Sequence, residues 1–119
     1  MEPAGGVSRV NWVNMLAGIW LIISPYTLNY TDIPAAAWNN TLVGIALLLV
    51  AAYVLFARVN AEVIGWGVVV VGIWEIIAPF VLGFADRPAL LWNNVIVGIV
   101  VVAVGALTAR FAWGSGRAV

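Results

Sequence analysis

Four apolar runs occupy almost the whole chain, at about 10–30, 33–58, 63–84 and 87–112. Each is close to the roughly 20 residues that a helix needs to cross a bilayer. Only 8% of the residues are charged, and Glu75 alone among them is placed deep inside a run. Hydrophobic residues make up 65% of the chain, more than a soluble domain needs for its core. The runs are continuously apolar, whereas membrane barrel strands are short and alternate apolar with polar, so helices are expected.

Sliding the sequence on itself aligns Trp12 with Trp66 without gaps, an offset of 66 − 12 = 54. Gly18-Ile19-Trp20 then meets Gly72-Ile73-Trp74, and Pro25 meets Pro79. Asp32-x-Pro34 meets Asp86-x-Pro88, Trp38-Asn39-Asn40 meets Trp92-Asn93-Asn94, and Gly44 meets Gly98. The chain is therefore a duplication, with repeat 1 at 10–58 and repeat 2 at 63–112, flanked by an N-terminal segment 1–9 and a C-terminal tail 113–119. Small residues at Ala35-Ala36-Ala37 imitate a signal cleavage site, but the second apolar hairpin cannot be a signal.

Two crossings per copy return the chain to its starting side, so the copies are parallel repeats about a pseudo-two-fold axis along the membrane normal. The expected fold is an all-α membrane protein, its four transmembrane helices forming two tandem helical hairpins. Arg9, Arg58, Arg110 and Arg117 fall on the side of the termini and Arg87 on the other, which places both termini in the cytoplasm of a plasma-membrane protein. Asp32 and Asp86 stand where helix N-caps are expected, with Pro34 and Pro88 in the first turn. Trp12 and Trp66 are then interface anchors at one membrane face, and Trp38 and Trp92 at the other.

The pattern Ser24-Pro25-Tyr26 with Trp38-Asn39, repeated as Ala78-Pro79-Phe80 with Trp92-Asn93, resembles the SPW-repeat family of small prokaryotic integral membrane proteins. The resemblance covers about residues 10–112 and implies two transmembrane helices per repeat, without an assigned reaction. Here the Ser-Pro-Trp motif reads Ser-Pro-Tyr and then Ala-Pro-Phe.

Cys, His and Lys are all absent, which removes disulfides, thiolate and histidine chemistry, the commonest zinc and haem ligands, and lysine Schiff bases. A net charge of zero gives no basic surface for nucleic acid. No catalytic, metal or cofactor residue is predicted, and contact with a lipid or pigment stays open. Pro25 and Pro79 each free the carbonyl four residues back, at Leu21 and Glu75, and predict a helix kink or early end. Asn40, Gly44 and Ala51 share one face of the second helix, as do Asn94, Gly98 and Gly105 of the fourth, and with Asn39 and Asn93 they form a candidate packing or binding stripe. Asn29-x-Thr31 and Asn39-x-Thr41 match glycosylation sequons.

Glu75 replaces Leu21 of the first copy and is placed within about one helical rise of the midplane if its helix runs 64–84. A central charge costs roughly 2.5–3.5 kcal/mol on the translocon scale, so a neutral, hydrogen-bonded carboxyl is expected there. Two functions follow as expectations. One is a non-catalytic accessory subunit packing against a larger membrane complex, such as a respiratory or photosynthetic one. The other is a small oligomeric transporter or channel with Glu75 as its proton-coupling or ion-pathway residue. The partners expected are membrane lipids with other integral membrane subunits, or a homo-oligomer, and no enzyme activity.

Overall fold

The computed structural model describes residues 3–57 and 61–114. They form four helices: α1 (Pro3–Thr27), α2 (Pro34–Phe56), α3 (Ala61–Val81) and α4 (Pro88–Gly114). All four are long and apolar enough to cross a membrane. The bundle is 47 Å long, about the 40–45 Å thickness of a bilayer with its headgroups. The observed ends differ from the sequence boundaries: α1 starts seven residues earlier, and α1 and α3 each end three earlier. Asn29 and Gly83 cause the early ends, because both take left-handed backbone, at φ 63° and 83°. Arg58 and Arg117 of the charge argument lie outside the described residues.

The helices follow one another around the bundle, α1 beside α2 and α4, α3 beside α4 and α2. Hairpin packing rests on glycine. A Cβ added at Gly18 would lie 2.7 Å from the Gly44 carbonyl oxygen, and one at Gly44 would lie 2.6 Å from that of Gly18. Gly72 and Gly98 repeat this reciprocal contact, at 2.9 and 2.8 Å. The second hairpin adds Gly65 against Gly105, where the first has Asn11 and Ala51, and it packs along more of its length.

The connectors match in backbone. Pro25 O accepts from Tyr30 N and Pro79 O from Phe84 N, both at 2.9 Å. The Tyr30 and Phe84 rings are buried with Ala36 and Leu90, plugging that end of the bundle. The expected aspartate caps are not made. The N-cap of α2 is Ile33, with no side-chain cap bond, because Pro34 already occupies the first helical position and Asp32 falls one residue outside. Asp32 instead faces Arg87 of the other connector at 4.0 Å.

Candidate functional site

The candidate residues converge just inside the connector end, and the symmetry of the duplication organises them. Asn40 and Asn94 are both fully buried and bond each other reciprocally: Asn40 Nδ2 donates to Asn94 Oδ1 at 2.9 Å and Asn94 Nδ2 to Asn40 Oδ1 at 3.2 Å. A residue that meets its own repeat equivalent lies on the two-fold axis, so the axis passes between these amides. On either side of it the Trp20 indole donates to Asn93 Oδ1 at 2.7 Å and the Trp74 indole to Asn39 Oδ1 at 2.8 Å. These two bonds tie α1 to α4 and α3 to α2, so each repeat is stitched to the other.

Three substitutions break the symmetry. Glu75 accepts from Asn39 Nδ2 at 2.8 Å, whereas Asn93 faces Leu21 in the corresponding place and its Nδ2 has no partner among the described residues. Oε1 accepts from the amide, and Oε2, which would carry the O–H of a neutral acid, has no carbonyl or hydroxyl acceptor among the described residues. Glu75 also lies less deep than the sequence placed it: α3 is centred on Val71, so Glu75 sits four residues, about 6 Å, toward the connectors. In the first copy the Ser24 hydroxyl donates to Leu21 O at 3.0 Å, satisfying the carbonyl that Pro25 frees, and also bonds the Tyr30 hydroxyl. Tyr30 Oη in turn accepts from Asn40 Nδ2 at 2.8 Å. The second copy has Ala78 and Phe84 at these places and makes neither bond.

Asn40 is thereby saturated: its two N–H groups go to Tyr30 and Asn94, and its carbonyl accepts from Asn94 and from Asn39 at 3.0 Å. The Asn39 side chain of the second sequon is half-buried and engaged in this network, while Asn29 is exposed on a connector. Pro25 and Pro79 are buried inside helices that continue two residues beyond them, and Tyr26 and Phe80 point outward. Trp38 and Trp92 are exposed near the connector ends of α2 and α4, and Trp12 and Trp66 are exposed in the terminal halves of α1 and α3. Trp12 stacks edge-on against Phe56 with centroids 6.4 Å apart.

Sequence reasoning missed Trp20, Trp74 and Tyr30 as members of the site, and it missed a second buried polar group at the terminal end. There Asn11 Nδ2 donates to Val7 O at 2.8 Å and to Thr108 Oγ1 at 3.0 Å. Asn14, one turn further along, is fully buried. Both asparagines interrupt an apolar run on the face that carries Gly18 and Leu21, and both break the repeat, which has Gly65 and Val68 in their places. That signal was available.

A proline-centred hairpin, repeated about an axis through paired Trp-Asn-Asn motifs, is the pattern that decides the family. The SPW repeat domain matches residues 8–108. The chain belongs to the SPW-repeat family. No curated protein and no solved structure matches it. This SPW-repeat chain is accordingly a membrane-type protein of four apolar helices.

Proposed function

We propose that this SPW-repeat protein is a non-catalytic subunit of the plasma membrane, its termini cytoplasmic, that packs laterally against a larger membrane complex. The observation that carries this reading is the enclosure of Glu75. Its side chain is fully buried and held by Asn39, which is itself held by Trp74 and bonded to Asn40. The residues with most chemical potential thus act as a cross-link between α2 and α3. Gly18, Gly44, Gly65, Gly72, Gly98 and Gly105 are likewise taken up by contacts within the hairpins, and the outer face carries large apolar side chains such as Leu16, Leu49, Val70 and Ile96. Such a surface suits lipid and neighbouring helices. Extraction of native membranes in mild detergent, followed by native electrophoresis and mass spectrometry, tests it. A stoichiometric larger membrane partner is expected, and migration as this chain alone overturns the reading.

A second reading, a small oligomeric transporter or channel, is favoured by Glu75 Oε2, which is buried and has no hydrogen-bond partner among the described residues. Replacement separates the two. Glu75→Gln keeps the acceptor for Asn39 and cannot titrate, so the subunit reading expects unchanged assembly in Glu75→Gln and impaired assembly in Glu75→Leu. Loss of proton-dependent transport in Glu75→Gln at unchanged expression would establish the transporter instead.

A further inference from the structure

The buried polar group at the terminal end is independent of the Asn40–Asn94 network and plays no part in the proposed function. Asn11 and Asn14 are both fully buried, on one face of α1 at three-residue spacing, so their side chains are neighbours. Asn11 has its orientation fixed: its Nδ2 bonds Val7 O, a pure acceptor, and Thr108 Oγ1, which leaves Oδ1 directed elsewhere. Neither that Oδ1 nor either polar atom of Asn14 has a partner among the described residues. A buried amide left without hydrogen bonds costs about 1–3 kcal/mol on mutational scales, and native interiors pair nearly all such groups. Val68 shows that the backbone at the Asn14 position accepts an apolar side chain, so the fold does not require the amide.

We propose that Asn11, Asn14 and Thr108 form an internal hydration site in the terminal half of the bundle, with Asn14 bound to water. The chemistry of the unpaired atoms selects this ligand. They comprise two carbonyl oxygens and one amide nitrogen with two N–H donors, and a metal cation satisfies only the oxygens. Water both donates and accepts, and a buried water makes about three such bonds. Asn14 lies within about 4 Å of the centre of the Gly6–Thr27 span, so the site brings water close to mid-membrane depth. Leu21, Leu47, Val68, Val97 and Val101 form a buried apolar cluster, in which Val68 is the repeat equivalent of Asn14 and Leu21 that of Glu75, so the cluster spans the depth between this site and the Glu75 network. The water-free part of the bundle is then much shorter than its helices.

The test is nuclear magnetic resonance of the full chain in perdeuterated detergent micelles, with asparagine side-chain amides labelled and magnetisation transferred from water. Transfer to the Asn14 and Asn11 amides is expected, and none to Asn40, whose polar atoms are bonded to Tyr30, Asn39 and Asn94. Asn14→Val should abolish the transfer at Asn11 and leave the Trp20 and Trp74 indole resonances in place. Absence of transfer at Asn14 in the unsubstituted protein overturns the proposal. So does a shift of the Asn11 and Asn14 signals when sodium is exchanged for potassium or choline, which would assign the oxygens to a cation. The unsubstituted protein decides between these outcomes even if Asn14→Val does not fold.

Discussion

The two hairpins share helices, glycine contacts and connector turns, yet the inward faces of α1 and α3 carry different polar groups. In α1 the inward face is polar toward the termini, at Asn11 and Asn14, and apolar at Leu21; in α3 the corresponding places hold Gly65, Val68 and Glu75. The Ser24–Tyr30 hydroxyl pair of the first copy becomes Ala78 and Phe84 in the second, both members being exchanged together. Tyr30 and Phe84 are equally buried, so the backbone and the ring volume do not decide which carries a hydroxyl. What differs is whether each polar atom finds a partner. A buried group left without one costs more than the bond itself contributes, so such groups are added or removed in sets.

Transplanting residues between the copies tests this, and the largest effect is expected at the glycine seam. Gly65→Asn installs the residue of the first copy where a Cβ would lie 2.6 Å from the Ala109 amide nitrogen and 2.7 Å from the Gly105 carbonyl oxygen. Both obstacles are backbone and cannot rotate away. The loss should exceed the roughly 1–3 kcal/mol of ordinary overpacking. The reverse exchange, Asn11→Gly, meets no backbone obstacle; it loses the bonds to Val7 and Thr108 and at most about 1 kcal/mol of helix propensity, and should be milder. Reversible unfolding in mixed micelles measures both. Equal costs would mean that the hairpins do not differ in helix separation.

Much of this is legible in the sequence. The apolar runs placed four helices, and the 54-residue offset placed Asn40 and Asn94 at equivalent positions facing inward. Their mutual bond was not legible, because a repeat identifies equivalent residues without saying which of them lie near the axis. Trp20 and Trp74 were harder still. Their indoles reach across to the other repeat, and hairpin pairing alone does not tell which flank of α1 meets α4. The depth of Glu75 was misread because helix ends were inferred from hydropathy, which runs on through Leu82 while the left-handed Gly83 stops α3. Asn14 is legible by a different route: the equivalent position holds Val68, so the amide is a departure from the repeat on an inward face.

The Asn40–Asn94 pair gives the next effect in size. Asn40 makes bonds to Tyr30, Asn39 and Asn94, whereas Asn94 bonds only Asn40 among the described residues. Asn40→Leu should therefore cost more than Asn94→Leu, at about 1–2 kcal/mol against about half of that. The double replacement should cost less than the sum, with a coupling near the roughly 0.6 kcal/mol average for side-chain bonds between membrane helices. Equal single costs would show that the network is symmetric in energy although not in structure.

The smallest effect concerns the hydroxyl pair, and it has a signature in pH. Tyr30→Phe leaves one Asn40 N–H without its acceptor, and Ser24→Ala leaves the Leu21 carbonyl without its donor and the Tyr30 hydroxyl without its Ser24 partner. Each should cost on the order of 1 kcal/mol. The double variant reproduces Ala78 and Phe84 and should cost clearly less than the two singles together. Tyr30 lies on a connector outside the helices, and burial raises its phenol above the ordinary value of 10.0. A raised folded-state value means that the neutral phenol contributes its stability in full below about pH 10 and loses it as the pH climbs through the folded-state value. The unsubstituted protein should thus weaken above pH 10 by a step that Tyr30→Phe lacks. Unfolding midpoints of the two proteins, compared near neutral pH and in this alkaline range, measure that step. An alkaline loss of the same size in Tyr30→Phe would assign the pH dependence to other groups and remove Tyr30 from the difference between the repeats.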